Sequence, residues 1–204
     1  SLLGEKVSVI STGIGCPSTA IAVEEAIEAG ADTLIRVGSS GSMQPHIHTG
    51  DVVVVNAAIR DEGTTSYYLP IEFPAVADIE VVNALREAAE RLGYKSHTGI
   101  AQSKDSFYGE VERARMPMPA RLAERWNAFI TGGAACSEME SSALFILSSI
   151  YRKRAGGVML VINESDLAEV DEDNPAKHMA EFDADRVIKV AVEALKILIQ
   201  SDRH

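Results

Sequence analysis

The chain has 204 residues, of which 46% are apolar and 24% are charged, a composition typical of a soluble globular protein with room for one substantial core. The formal net charge of −11 argues against a nucleic acid or an anionic membrane as partner, because both favour a basic face. Cys16 and Cys136 have neither a metal-ligand spacing nor the pattern of a disulfide framework, so we expect a cytoplasmic location.

The first half of the chain alternates strands and helices. The pattern predicts a strand over residues 6–11, a glycine turn over 12–15 and an amphipathic helix over 19–29 that stops at Gly30. A strand over 31–37 would then complete a parallel βαβ unit. The elements predicted next are a buried strand over 51–58, a loop over 60–78, a helix over 79–92 and a strand over 97–101.

The second half opens with an irregular stretch, residues 103–120, and unstructured segments of this length inside a compact domain are often functional. The elements predicted after it are helices over 121–129, 136–151 and 176–200, a buried strand over 156–162, and an acidic loop over 164–173. No linker or internal repeat interrupts the pattern, so we expect one α/β domain over residues 1–204.

A charged side chain ends the predicted strand over 31–37, just before a turn of small residues. Arg36 is followed by Gly38, Ser39, Ser40 and Gly41. Such a turn lets backbone N–H groups approach an anion, and a guanidinium supplies the matching charge. The pattern predicts a site for a phosphate-like group, and the plainer alternative is an ion-paired arginine beside an ordinary turn.

Two carboxylates flank a methionine at the start of the predicted helix over 136–151. Glu138 and Glu140 suit the positive end of a helix dipole, which is a sufficient structural reason for them. Carboxylates also accept hydrogen bonds from vicinal hydroxyls, and the thioether of Met139 can pack against the carbon face of a sugar. The motif indicates either a stabilised helix start or a sugar site.

Adjacent aromatic residues, Phe107 and Tyr108, lie in the irregular stretch with Arg113 and Arg115 close behind. Adjacent aromatics belong more often to a core than to a ligand site. An exposed loop that combines aromatic and arginine side chains can instead stack on and hydrogen-bond a planar heterocycle. The five histidines show no metal-ligand spacing beyond His46-x-His48, which we interpret as a pair of loop residues.

Six motifs, in order along the chain, resemble the hexameric type of nucleoside phosphorylase and, within it, the members that act on uridine. They are STGIGCPSTAIAVEE (11–25), RVGSSG (36–41), QPHIHTGDVVV (44–54), FPAVAD (73–78), SFY (106–108) and SEMES (137–141). Cys16 departs from a usual glycine, and Ala26 stands where leucine is commoner. The resemblance covers nearly the whole chain from Val7 onward and implies a three-layer α/β/α domain around a mixed, partly closed β-sheet.

The resemblance implies phosphorolysis of a pyrimidine nucleoside, with uridine and inorganic phosphate giving uracil and ribose 1-phosphate and with no required cofactor. It assigns the catalytic roles to Arg36 and Glu140. The phosphate ligands would be Arg36, Val37, Gly38 and Ser39, and the ribose ligands Glu138, Met139 and Glu140. The base site would be formed by Ser40, Gly41, Phe107, Glu110, Arg113 and Arg115. A monovalent cation such as potassium would bind between subunits at Ile14 and Ser18.

The resemblance further implies a homo-oligomer, built from dimers and extending to a hexamer, in which a neighbouring subunit completes each pocket. The expected partners are a nucleoside and phosphate, with no nucleic acid and no membrane. Relatives carry a glycine, two phosphate-binding arginines and a sugar-contacting histidine in a segment that would precede Ser1. The chain is therefore expected to be truncated at its amino terminus, and a chain without that segment to have little or no activity.

Two departures bear on the choice of base. Glu110 replaces a base-reading glutamine, which removes amide donors and adds a charge opposed to an anionic uracil, at a cost of about 2 kcal/mol or more. Arg113 or Arg115 would supply the remaining hydrogen bonds. Glu164, with Asp166 nearby, follows the strand over 156–162 where purine-specific relatives carry a catalytic aspartate. We interpret both as loop carboxylates because of the loop that carries Phe107.

Three alternatives to a pyrimidine phosphorylase stay open. The first is a purine or broad-specificity phosphorylase. The second is a nucleosidase that uses water, which Arg36 disfavours because hydrolysis needs no phosphate ligand. The third is a non-catalytic nucleoside-binding relative, for which the missing arginines and Glu110 are the motivation.

Overall fold

The computed structural model describes residues 1–164 and 183–203, which contain six strands and six α-helices. The strands are β1 Thr33–Ser42, β2 Val52–Asp61, β3 Ala75–Val76, β4 Ser96–Lys104, β5 Cys136–Glu138 and β6 Arg154–Asn163. The helices are α1 Cys16–Glu28, α2 Ile79–Arg91, α3 Phe107–Val111, α4 Pro119–Thr131, α5 Ser141–Tyr151 and α6 Ala184–Ser201. Short 3₁₀ turns cover Thr64–Tyr67 and Arg113–Arg115.

The six strands form one mixed sheet in the order β3-β2-β4-β5-β1-β6, and β2 also pairs with β6. This last pairing closes five strands into a ring that β3 extends. The pairs β1–β6, β2–β4 and β4–β5 are parallel. The pairs β1–β5, β2–β3 and β2–β6 are antiparallel. The predicted mixed, partly closed sheet is therefore confirmed.

Alternating valines of β2 sort the core into two faces, because successive side chains of a strand point to opposite sides of a sheet. Val53 and Val55 belong to the core cluster that includes α1 and α5, and we call this side the α1–α5 face. Val52 and Val54 belong to the cluster that includes α2 and α6, the α2–α6 face. All four side chains are fully buried, as expected for a strand covered on both sides. Helices on both faces give the predicted three layers.

Residues 6–11 are not a strand, and the predicted βαβ unit through α1 is wrong. The segment lies outside the sheet, and the side chain of Val9 is 95% exposed. A β-branched run needs a neighbouring strand edge, and along the described residues β1 takes β5 and β6 as its partners instead. The β-branched composition of this segment indicated a strand, but composition does not show whether a partner strand is present.

Small residues misled two further predictions. Residues 38–41 are not a turn, because β6 pairs with β1 as far as Gly41, with only a register shift after Ser40. The helix predicted from residue 136 begins at Ser141, because residues 136–138 pair with β4 as strand β5. In both places hydrogen bonds between distant strands outweighed local preference.

The two predicted loops contain more regular structure than expected. The segment 60–78 includes the end of β2, a 3₁₀ turn and β3, and the stretch 103–120 includes the end of β4, α3, a 3₁₀ turn and the start of α4. The helix predicted over 79–92 is present as α2, and the side chain of Asp78 caps it by accepting from the N–H groups of Glu80 and Val81.

The last predicted helix is described from Ala184, and residues 176–182 lie outside the described residues. The same holds for the acidic run after Glu164, including Asp166. None of the helices in the described part of the chain combines the length and the apolar character needed to cross a bilayer.

Candidate active site

The N-terminal ends of α1 and α5 meet on one side of the sheet. Gly15 caps α1 and Glu140 caps α5. The Gly15 N–H donates a hydrogen bond of 2.6 Å to Oε1 of Glu140, across 125 residues of sequence. Gly15 has a φ of 88°, which glycine adopts without a steric penalty. The positive end of α1 therefore faces the carboxylate of Glu140, an arrangement that favours negative charge there.

Arg36 of β1 reaches this junction and contacts two carboxylates. Its Nε donates to Oε2 of Glu138 at 2.9 Å, and its Nη2 lies 2.5 Å from Oε2 of Glu140. Burial alone would lower the pKa of Arg36, but the two carboxylates outweigh it and raise that pKa above the usual value. The guanidinium is therefore fixed in place and permanently charged. Its Nη1 makes no hydrogen bond within residues 1–164 and 183–203.

A glycine makes room for this guanidinium. A Cβ atom built on Gly38 would lie 2.9 Å from Nη1 and 3.0 Å from Nη2 of Arg36. Residues 36 and 38 share one face of β1, so the arginine folds back over the bare backbone of Gly38. We infer that Gly38 is required for this orientation of Arg36, although the local conformation is strand and not turn.

The Glu138 side chain is fully buried and forms an ion pair with Nε of Arg36. Its carboxylate accepts from the N–H groups of Glu140 at 2.8 Å and Ser141 at 2.9 Å, and from the hydroxyl of Ser103. Burial raises its pKa, but Arg36, the Ser103 hydroxyl and these N–H donors outweigh burial and hold the pKa of Glu138 below its usual value. A buried carboxylate with this many donors stays ionised. We name Arg36, Glu138 and Glu140, with Gly15 and Ser103, the Arg36 cluster.

The structure brings together Arg36, Gly38, Glu138 and Glu140 of the predicted site residues. Val37 and Ser39 point away from Arg36 because they alternate with it along β1. Three other predicted residues nearby make different contacts. The buried Ser40 hydroxyl lies near the Leu160 carbonyl, Gly41 lies against the Asn163 side chain, and the Met139 carbonyl accepts from the Cys16 thiol.

Sequence reasoning missed Gly15 and Ser103. Gly15 carried a weak signal, since it ends the glycine turn predicted over 12–15, and glycine is one of the residues found at helix caps. Ser103 carried none. Its contact with Glu138 depends on the register that places Ser103 opposite Glu138 in the β4–β5 pair.

Glu110, one of the residues predicted to read the base, is bound on the other face of β4 and β5. Ala101 and Cys136 belong to the core of the α1–α5 face, so Ser103 and Glu138 project the same way. Lys104 and Ser137 alternate with them, and both contact the carboxylate of Glu110, with Lys104 Nζ 2.8 Å from Oε1. Glu110 therefore lies across the sheet from the buried carboxylate of Glu138.

Phe107, Arg113 and Arg115 differ in their surroundings. The Phe107 ring is 51% exposed. The Arg115 guanidinium forms an ion pair with Glu112 and is 59% exposed. Arg113 lies over the ring of Trp126, 4.9 Å from its centroid, and its Nη1 is buried with no hydrogen-bond partner in the described structure. Of the two arginines, only Arg113 combines partial burial with an unused donor.

The two residues predicted to bind a monovalent cation between subunits lie at the start of α1 and in the segment before it, and the prediction stays untested in a single chain. The Ser18 hydroxyl donates to the carbonyl of Thr12, and the Ile14 side chain is 79% exposed. Within the described residues, no group of three or more His, Cys, Asp or Glu side chains is placed to hold a metal ion.

The sequence profile of the phosphorylase superfamily matches residues 1–201. The chain belongs to the phosphorylase superfamily. It is 50% identical over 197 residues to a uridine phosphorylase of Treponema pallidum, an alignment that covers 96% of this chain and 74% of the relative.

Two further relatives differ in the nucleoside that their names give. A uridine phosphorylase of Escherichia coli is 39% identical over 202 residues, which cover 96% of this chain and 77% of the relative. A guanosine phosphorylase of Halorubrum lacusprofundi is 34% identical over 200 residues, which cover 96% of this chain and 78% of the relative. The names of these relatives therefore agree on phosphorylase and differ in the nucleoside.

Proposed function

We propose that this protein catalyses the phosphorolysis of uridine, giving uracil and ribose 1-phosphate. The observation that carries the proposal is the Arg36 cluster, in which a permanently charged guanidinium and the carboxylate of Glu140 share one helix junction. Similarity to proteins named uridine phosphorylase, at 50% and 39% identity, supports uridine as the substrate.

The proposed chemistry is a displacement at the anomeric carbon. A phosphate oxygen forms a bond to C1′ while the bond between C1′ and N1 of uracil breaks, and the base leaves with that electron pair and then gains a proton. Positive charge develops on the ribose and negative charge on the base. Rate is gained by groups that stabilise these charges more in the transition state than in the ground state.

Arg36 would hold phosphate through the edge of the guanidinium that carries Nη1, because Nε and Nη2 are directed at Glu138 and Glu140. Glu140 would accept the ribose hydroxyls. Each carboxylate oxygen can accept more than one hydrogen bond, so its contacts with Gly15 and Arg36 leave acceptor capacity. Nucleophile and sugar would then be fixed by two groups that already contact each other.

A phosphate dianion needs more positive charge than Arg36 gives, because the cluster pairs one guanidinium with two carboxylates. The N-terminal ends of α1 and α5 supply partial positive charge. We propose that a neighbouring subunit of a homo-oligomer supplies the rest. Exposed apolar side chains between the 3₁₀ turn at 64–67 and the start of α2 support an interface there: Tyr67, Ile71, Phe73, Val76 and Ile79.

At the base, we propose that Phe107 stacks on uracil and that Arg113 donates to its carbonyls. The exposed ring of Phe107 supports the first role. The buried, unpaired Nη1 of Arg113 supports the second in preference to Arg115, whose guanidinium is occupied by Glu112. A purine substrate is the alternative, and the guanosine phosphorylase relative is its main support.

Glu164 does not favour the purine alternative. Its carboxylate accepts from the N–H of Thr49 at 3.2 Å and lies 3.4 Å from Nδ1 of His48, with more than half of the side chain exposed. These contacts attach Glu164 to the loop before β2. None of its contacts within the described residues is to the Arg36 cluster.

The test is an assay of the full-length protein with uridine, thymidine, cytidine, inosine, guanosine and adenosine, each with and without inorganic phosphate. We expect the highest kcat/KM for uridine and no base release without phosphate. Purine turnover without uridine turnover would overturn the choice of base, and base release without phosphate would indicate a nucleosidase.

Calorimetry distinguishes a phosphorylase from a non-catalytic nucleoside-binding protein. For a phosphorylase we expect uridine and phosphate to affect each other's affinity, since both would contact the junction of Arg36 and Glu140. Uridine binding that ignores phosphate, together with no turnover in the assay, would favour the non-catalytic alternative.

A further inference from the structure

Helix α3, which carries Phe107, is anchored with almost no apolar burial. It is five residues long, and an isolated helix of that length is unstable in water. Its two buried residues are Gly109 and Glu110, while Phe107 and Tyr108 are more than half exposed. The 3₁₀ turn that follows, Arg113–Arg115, buries none of its residues. Something other than a hydrophobic contact must hold this helix against the sheet.

A buried ion pair is the contact that does so. Nζ of Lys104, the last residue of β4, lies 2.8 Å from Oε1 of Glu110, and less than a tenth of either side chain is exposed. The Lys104 ammonium also donates to the hydroxyl of Ser137 at 2.5 Å. That hydroxyl lies 3.0 Å from both carboxylate oxygens of Glu110. Charge and hydrogen bonds are therefore satisfied locally, as burial of two ions requires.

The ion pair is itself connected to the frame of the sheet. The Ser137 hydroxyl lies 2.9 Å from Oε1 of Gln102, and Nε2 of Gln102 donates to Asp61 at 2.8 Å. Asp61 in turn forms an ion pair with Arg125 of α4. The contacts run from Glu110 of α3 through β5 and β4 to the end of β2, so the position of α3 depends on its contacts with the sheet.

We propose that Lys104 and Glu110 are positioning residues that hold α3, and hence Phe107, in place for the base. The consequence for binding rests on the proposed function, whereas the anchoring itself does not. Lys104 Nζ lies 6.0 Å from the centroid of the Phe107 ring, so the ion pair and the stacking surface are adjacent. Glu110 acts as an anchor, because its carboxylate is already paired on the side of β4 and β5 opposite Glu138.

The first test measures hydrogen exchange over residues 105–111 in the full-length protein. Lys104→Met and Glu110→Gln should each accelerate exchange there by about tenfold or more, because each removes the ion pair while leaving a buried partner. The double variant should exchange no faster than the faster single variant. Lys95→Met, which removes a half-exposed lysine paired with Asp51, is the matched control and should leave this segment unchanged. Unchanged exchange in Lys104→Met would overturn the proposal.

The second test separates anchoring from direct base reading. Both single variants, and Phe107→Ala, should raise the KM for uridine by about tenfold while the KM for phosphate changes less than about twofold. Lys104→Arg, which keeps the charge, should restore most of the affinity. A large effect of Glu110→Gln with none from Lys104→Met would show that Glu110 reads the base and would overturn the proposal. If the wild type turns over no nucleoside, the proposed function fails, and the exchange experiment still decides the anchoring.

Discussion

The Arg36 cluster and helix α3 are bound to opposite faces of β4 and β5, through the carboxylates of Glu138 and Glu110, and they are held in different ways. Each charge of the Arg36 cluster has several contacts, from two helix ends, a neighbouring strand and backbone N–H groups. Helix α3 depends on one buried ion pair and leaves its aromatic rings exposed. The Arg36 cluster is held by several polar contacts, whereas α3 has one buried ion pair as its main polar contact with the sheet.

This difference matches what each region would contact. Ribose and phosphate are the same for every nucleoside substrate, so a preorganised cluster suits them. The base differs between substrates, and a short helix on one anchor can be altered by few substitutions. We infer that relatives with different bases in their names differ more at residues equivalent to α3 than at residues equivalent to the Arg36 cluster.

The largest expected effect comes from removing the central residue of the Arg36 cluster. Arg36→Ala should lower kcat/KM for uridine by about 10³-fold or more, because it removes the phosphate ligand and leaves two buried carboxylates unpaired. Steady-state kinetics with varied phosphate checks this. Arg91→Ala, which removes a half-exposed arginine on α2, is the control. Unchanged phosphate dependence would exclude Arg36 from the site.

A smaller loss is expected from Glu140→Gln. The amide keeps the shape of the side chain but loses the charge that holds Arg36 and accepts the ribose hydroxyls, so kcat/KM should fall by about 10²-fold. Comparing uridine with 2′-deoxyuridine sharpens the test. The variant should discriminate less between the two nucleosides than the wild type does, and equal discrimination would argue against contact with the 2′-hydroxyl.

Gly38→Ala should have a more modest effect, with a rise in the phosphate KM of about tenfold, because the new methyl group would displace the guanidinium. The matched control is Gly63→Ala, where a Cβ atom would meet only Asp105 at 3.8 Å. A phosphate KM that changes equally in both variants would contradict the role given to Gly38.

The smallest effect concerns acid stability. The pKa of Glu138 is held below its usual value in the folded protein, so its contribution to stability is present above about pH 4.5 and is lost as the pH falls through the folded-state pKa. Glu138→Gln should therefore flatten the decline of Tm between about pH 5 and pH 3. Glu90→Gln, an exposed change on α2, should not. An unaltered slope in Glu138→Gln would mean that its ionisation is not coupled to folding.

Local periodicity was sufficient for the elements whose burial is decided within a few residues, such as β2 and α2. It was insufficient for β5, whose strand state depends on pairing with β4, and for residues 6–11. The site shows the same division. Arg36, Glu138 and Glu140 were predicted from charge and motif, whereas the contact of Ser103 with Glu138 spans 35 residues and requires the register of the sheet. The pairing of Lys104 with Glu110 spans only 6 residues, but it depends on how α3 folds back after β4.

The most direct measurement of the central claim follows phosphorus and base together. When the protein is supplied with uridine and inorganic phosphate, ³¹P NMR should show one ribose 1-phosphate formed for each uracil released, the uracil being measured by its ultraviolet absorbance. Arg36→Ala should reduce the formation of ribose 1-phosphate and of uracil in parallel. Uracil release while inorganic phosphate stays unchanged would contradict phosphorolysis at the Arg36 cluster.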